Sequence, residues 1–469
     1  MATPMQIRVD KFNTGLLGLA QTEEASQTVS DLLQKDMERH HIFFNASGFH
    51  NHIVHHLLAL YSTGASPSQL ESAYHENNMY QRPASAPDTS VVSSISSSFP
   101  SPSYSSSFSS SSVKSFLGKG KHYNDFLAFF QNEMASPLGL EGTIRKHLFS
   151  HSPTADDLLL RVHAGFLHPL IHLMYGFEFQ QPAIVAQALA QAAVHERTLG
   201  EYLVEVEEKA ASVASSDGFG HKDRWKLADL YAAVHNDPAL AGAAHWDDDQ
   251  KLSGVLTRAR HAIVDIAARV RIVEEDGLEE IRRRTTEMHG MALRMTLGSA
   301  TCMRHRFPEK GDKIDFFLMH HANSAPFYVA LAQEEDSPKT WMNKKAKARL
   351  LEWKIRLDLI QYAARGAPKI CMPSEAGRQE KGIQEDDALE KLHALKDDGH
   401  AIKLARSMAL YRKCAHGKGV EGLRTNEDWE MAFGMLVESV SREGEPKWVR
   451  SVGMEGAWEE IPDKSKEIR

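Results

Sequence analysis

Apolar residues recur three and four positions apart along most of this chain, the spacing that lines one face of a helix. Phe49 to Tyr61 follows it, with histidines at several of the core-like positions. Gly64 and Ala65 end that segment. Ser66 and Pro67 start the next, serine as the cap and proline in the first helical position, where its missing N–H is not needed. The same period predicts helices over Ala155 to Tyr175, Pro182 to Lys209, His221 to Val234, Lys251 to Thr286, Lys344 to Arg365 and Ala401 to Ala415. Pro169 stands where it would kink or break the first of these. Strand-like alternation is scarce, and the clearest run is Lys447 to Val452, KWVRSV. The predicted fold is mainly α, a single large bundle-like helical domain over residues 1–469.

One segment breaks the pattern. Ala84 to Ser112 is dominated by serine, with Pro87, Pro100 and Pro102 inside it. Such a composition buries too little apolar surface to offset its ordering entropy, so a disordered loop insertion is expected over 84–112. Elsewhere, 42% hydrophobic and 25% charged residues describe an ordinary globular protein. The net charge of −8, without a basic stripe, argues against nucleic acid or an anionic membrane as partner. Three scattered cysteines, Cys302, Cys371 and Cys414, make no disulfide framework or CxxC zinc site and fit a reducing compartment. The N-terminus lacks the basic-then-apolar pattern of a signal peptide, and no stretch reaches the uncharged apolar length of a membrane span. A cytoplasmic protein is expected.

The 25 histidines decide which chemistry is plausible, because they cluster. HNHIVHH (His50 to His56), HAGFLHPLIH (His163 to His172) and MHH (Met319 to His321) each pack several imidazoles into apolar, helix-like sequence. Imidazole is the commonest metal ligand in proteins. His52 and His56 are four apart, which places both on one helix face, and His168 and His172 repeat the spacing. Bundle metal sites are built from such inward-facing ligands. Taken alone, either pair reads first as core histidines hydrogen-bonded to backbone or to Tyr61 and Tyr175; the two pairs together with His320–His321 shift the reading toward a metal. Neighbours on a helix point about 100° apart, so at most one of His320 and His321 is a ligand.

Other catalytic signatures are missing. HExxH, Walker A and GxSxG do not occur. HxD occurs at His221/Asp223, His235/Asp237 and His245/Asp247, about the number chance gives for this composition. The one GxGxxG, at Gly417, Gly419 and Gly422, follows a cationic helix end instead of a buried strand, which argues against a dinucleotide phosphate turn. Two further residues stand out. His400 follows Asp397, Asp398 and Gly399 and opens a helix that one of those aspartates should cap, placing the imidazole at a pocket mouth or in solvent. Lys354 reads either as an i,i+4 partner of Asp358 on a solvated face or as a desolvated lysine. The latter is a neutral amine able to bind substrate or, carboxylated by carbon dioxide, to supply an anionic metal ligand.

These blocks, HNHIVHHLLALYSTGAS, HAGFLHPLIHLMYGFEFQQPAIVAQALAQAAVH, ARLLEWKIRLDLIQYAARGAP, DDGHAIKLARS and WVRSVGMEGAWEEIP, together resemble the fungal questin oxidase family. The resemblance runs in order from about residue 35 to the C-terminus. It implies oxidative opening of an anthraquinone or related aromatic polyketide ring in secondary metabolism, by enzymes described as Baeyer–Villiger-type oxidases. Its recurring positions are His52, His168, His320 and His400, with His56 and His172 of second rank, and Lys354 in the EWK block. His321 and the serine-rich insertion depart from the family pattern.

The expectation that follows is a non-haem Fe(II) oxygenase using dioxygen. His52, His168, His320 and His400 hold the metal, and Lys354 serves as anionic ligand or base. Tyr61, Phe166, Tyr175, Phe316 and Trp353 are candidate walls of an apolar pocket. The alternatives are a flavin- or NADPH-dependent Baeyer–Villiger monooxygenase, for which no binding motif is seen, and a non-catalytic helical scaffold that binds a polyketide.

Overall fold

Ser66 does cap the helix Pro67–Asn78: its hydroxyl accepts from the Gln69 amide and Gln69 answers with a bond to the Ser66 amide, a reciprocal capping box. The structure, a computed structural model, describes residues 1–99, 111–216, 225–272, 277–333, 342–374, 382–415, 417 and 419–463. Among them secondary structure is helical, with isolated β-bridges and no strand. No helix among them is long and apolar enough to cross a membrane. The chain folds as two compact units. One comprises Met1–Gly200 with Ser337–Met342 and Lys396–Lys403; the other comprises Glu201–Asp336, Asn343–Leu395 and Leu404–Arg469.

In the first unit the apolar helix Pro182–Val194 is the hub, buried on every side and packed on Tyr123–Ala135, Pro153–Val162 and Ala164–Glu178. The short helix Ile53–Ser62, also buried on all faces, packs against Glu23–Arg39, Pro67–Asn78 and Ala164–Glu178. An all-round apolar helix belongs in a core, and this is where the first two histidine clusters lie. The serine-rich segment differs from expectation. Thr89–Ser98 is a helix, capped by Asp88 and packed on Tyr123–Ala135 through fully buried Ile95. The serine hydroxyls of residues 93, 94 and 98 donate to carbonyls four residues back, which satisfies polar groups that composition alone assigns to water. Residues 100–110 of the expected insertion lie outside the described residues.

In the second unit three long helices, Gly277–Arg306, Phe316–Gln333 and Lys344–Ala364, pack on one another. Asp315 caps the middle one, accepting from Phe317 and Leu318 amides at 2.8 and 2.9 Å, while its other oxygen accepts from Val452 at 2.7 Å. The expected strand Lys447–Val452 reduces to a single bridge, Asp315 to Val449, because Ser451 takes a left-handed φ of 71° and ends the extension. Pro326, inside the Phe316–Gln333 helix, leaves the Ala322 carbonyl without its helical donor. The Ser407 hydroxyl supplies one at 2.7 Å and is itself held by His289 at 2.8 Å.

Candidate metal centre

Three chain segments of the first unit build the site. His52 is the N-cap of the helix Ile53–Ser62, not an interior residue, with φ −100° and ψ 0°. His168 follows three residues, Gly165, Phe166 and Leu167, that all lie in the left-handed region at φ 53°, 54° and 66°. The expected break in this helix therefore falls before Pro169, which sits harmlessly in the first turn of the restarted helix. Glycine is required at 165, since a Cβ there would come within 2.5 Å of the His195 ring and 3.0 Å of His50. The third segment is the DDGH turn. Asp397 caps the following helix, accepting from Gly399 and Ala401 amides at 2.8 and 3.1 Å. Gly399, at φ +86°, passes so close to His56 that a Cβ would lie 2.6 Å from its side chain.

That division of labour frees Asp398 for the imidazoles. One of its oxygens accepts from His52 Nδ1 at 3.0 Å and the other from His400 Nδ1. His168 Nδ1 donates to the Gly165 carbonyl at 2.6 Å. Carbonyls and carboxylates accept only, so in all three rings Nδ1 carries the proton and Nε2 the lone pair. The Nε2 atoms of His52 and His168 are 2.8 Å apart. Two lone pairs facing each other at that distance require a cation between or beside them, a proton or a metal ion. Burial pushes the His52 imidazole down to about 3, with the Lys403 ammonium adding to the effect against the pull of Asp398, which disfavours the proton. Oxygen acceptors on the far nitrogen of each ring are also what orients histidine metal ligands. His52, Asp398 and His400 form one group of ligand atoms within 4.8 Å of one another, and His50, His52 and His168 form another. The residues fit a metal.

The second-rank histidines play other parts. His56 faces Asp397 at 3.8 Å, and burial lowers it to about 4. His172 Nδ1 meets His55 Nε2 at 3.2 Å, and burial lowers it to about 3. Neither ring is brought to the His52–His168 contact. Of the proposed walls, Tyr61 and Tyr175 are buried core, Tyr175 stacked on His55, and Phe166 is 36% exposed.

In the second unit, His320 is fully buried and donates Nδ1–H to the Phe316 carbonyl at 2.6 Å, so its Nε2 carries the lone pair, as in the other three. Phe316 meets that ring edge-on at 4.9 Å. His321 instead donates to Asp358 at 2.6 Å. Lys354 does pair with Asp358, at 2.5 and 2.6 Å, but not on a solvated face: lysine and aspartate are 0% and 1% exposed. Its neighbour Trp353 is likewise buried. The tight turns of the intact Lys344–Ala364 helix point this pair inward, and desolvation lowers the Lys354 pKa against the stabilising pull of Asp358.

A model of the questin oxidase-like family matches residues 49–408, most of the chain. The chain belongs to the questin oxidase-like family. It is 30% identical to a questin oxidase of Aspergillus terreus, across 98% of each chain. It is also 30% identical to a questin oxidase of Aspergillus fumigatus, across 98% of this chain and 100% of that one. A Baeyer–Villiger monooxygenase of a Cryptosporiopsis species is 29% identical over 96% and 97% of the two chains. This questin oxidase-like chain is an oxidoreductase.

Four residues of its site escape sequence reasoning. His50 stacks on His168 with centroids 3.7 Å apart and 8° between planes, and its Nε2 meets His195 Nε2 at 2.8 Å. His50 belongs to the first histidine cluster, but His195 ends a helix alone and nothing local marks it. Asp398 could have been found as the partner left over once Asp397 is assigned to the cap. Lys403, three residues past His400, has the spacing of a shared helix face and is 2% exposed.

Proposed function

We propose that this chain is a non-haem Fe(II) oxygenase that uses dioxygen to cleave a ring carbon–carbon bond of an anthraquinone or related aromatic polyketide. The observation that carries the metal is the facing pair of Nε2 lone pairs on His52 and His168. The proposed ligands are His52, His168 and His400, with His320 as the fourth on the strength of its sequence position and its Nδ1 bond. A ferrous ion held by them supplies the one-electron chemistry that lets dioxygen react with a closed-shell ring. Asp398 fixes two of the rings and lends them basicity. Burial of His52, His168 and His400 keeps water from the reacting atoms.

Four neutral imidazoles leave the ion's charge uncompensated, so an anion must come from protein, substrate or dioxygen. Lys354 is the proposed protein source, as a carboxylated ligand or as a base. As found, its ammonium donates to Asp358, which also accepts from His321. Of the two donors to Asp358, the Lys354 ammonium gives up a proton far more readily than the neutral His321 ring, and its lowered pKa eases the release.

The names of the relatives favour a second reading, a Baeyer–Villiger monooxygenation; for it we infer flavin or NADPH as the reductant source. It would have to proceed without a dinucleotide turn of the usual kind, since Gly417, Gly419 and Gly422 follow a helix and no strand is described before them. The test is anaerobic reconstitution with ferrous ion, then admission of air to a panel of anthraquinones without NADPH. Ring-opened product that depends on iron supports the first reading; turnover that needs NADPH and ignores iron supports the second.

A further inference from the structure

We propose that Lys403 binds the anionic oxygen of a phenolic substrate, a role that rests on the substrate class proposed above. Lys403 closes the first turn of the helix His400–Ala415, on the face of the ligand His400. Its side chain is 2% exposed, and its ammonium has no hydrogen-bond partner among the described residues. A buried ammonium without a partner is costly, and natural proteins seldom keep one. The nearby carboxylates do not satisfy it, because their bonds go elsewhere. Asp398 serves His52 and His400, and Asp397 serves the Gly399 and Ala401 amides. The ammonium nevertheless lies close enough to His52, His55 and His56 to depress all three electrostatically.

The unsatisfied cation calls for an anion that arrives with the ligand. A lone lysine, without an arginine fork, suits a single oxygen better than a carboxylate or phosphate. A phenolate on a flat aromatic ketone is that kind of group, and an ammonium beside it favours its ionised form. Deprotonated phenols are also the more electron-rich and more readily oxidised species.

The experiment is a titration of the purified full-length protein, under argon and at pH 7, with 2-hydroxyanthraquinone, whose absorption band distinguishes phenol from phenolate. Metal content is measured in every sample. The wild type should bind the dye with the phenolate band. Lys403→Met should bind about tenfold more weakly or worse, with the phenol band, while Lys403→Arg keeps the phenolate band. Dye-free Lys403→Met should melt no lower than the wild type, because an apolar chain replaces an unpaired buried charge. Unchanged affinity and band in Lys403→Met overturn the proposal. So does failure of both Lys403→Met and Lys403→Gln to fold, which would make the lysine structural. A metal-loaded wild type that does not bind the dye would instead strike at the proposed substrate class, and the role of Lys403 would fall with it.

Discussion

Asp398 holds two imidazoles on one partly exposed carboxylate, which still presents 38% of its side chain to solvent. Burial raises its pKa, but the His400 and His52 rings outweigh that and hold it well below the usual range. An amide at this position has one acceptor where two donors converge, so one ring must turn or change tautomer. Asp398→Asn should therefore weaken metal binding about 10- to 100-fold, read by competition against a chelator, with little change in the helix content. Asp397→Asn should leave affinity closer to wild type and act on the helix cap instead. The residue scale was only partly legible. Clustering exposed His52 and His168, and the aspartates and glycine before a helix start exposed His400. Neither signal could expose His195, which meets His50 across 145 positions of chain beside a Gly165 that leaves room for both rings.

The left-handed turn Gly165–Phe166–Leu167 aims His168 by breaking the helix in the turn before Pro169, where the proline ring has no room for the i−4 carbonyl. Phe166 and Leu167 each carry a strain of order 1–3 kcal/mol, held by the packing around them. Gly165→Ala adds about 1–2 kcal/mol of left-handed strain and drives a methyl into His195. It should lower the melting temperature and release metal together; metal retention at wild-type level would show that the turn does not position the ligand. Helices with capping signals were legible to within a few residues, as Pro67–Asn78 and His400–Ala415 illustrate. The Thr89–Ser98 helix was not, because it is held by the Asp88 cap and one buried isoleucine within a serine-rich run, while the hydroxyls turn back on their own carbonyls.

Both units bury neutral histidines, and this sets the acid behaviour of the whole molecule. Burial lowers His52, His56, His172 and His195 in the first unit and His289 in the second to about 3–4. Below pH 6.5 the unfolded chain takes up protons that these folded sites refuse, so stability falls as pH falls through that window. Each such histidine contributes a slope of about 1.4 kcal/mol per pH unit until its folded pKa is reached. Urea midpoints should drop steeply between pH 6.5 and 4; a flat profile would mean that the rings are solvated or already charged. Metal loss should follow the same direction, since protons compete for Nε2. The central claim, however, is tested most directly by iron content after anaerobic reconstitution. The account predicts a single iron per wild-type chain, lost in both His168→Ala and His320→Ala while the helical circular dichroism persists. Full iron occupancy in both variants, or none in the wild type, would contradict it.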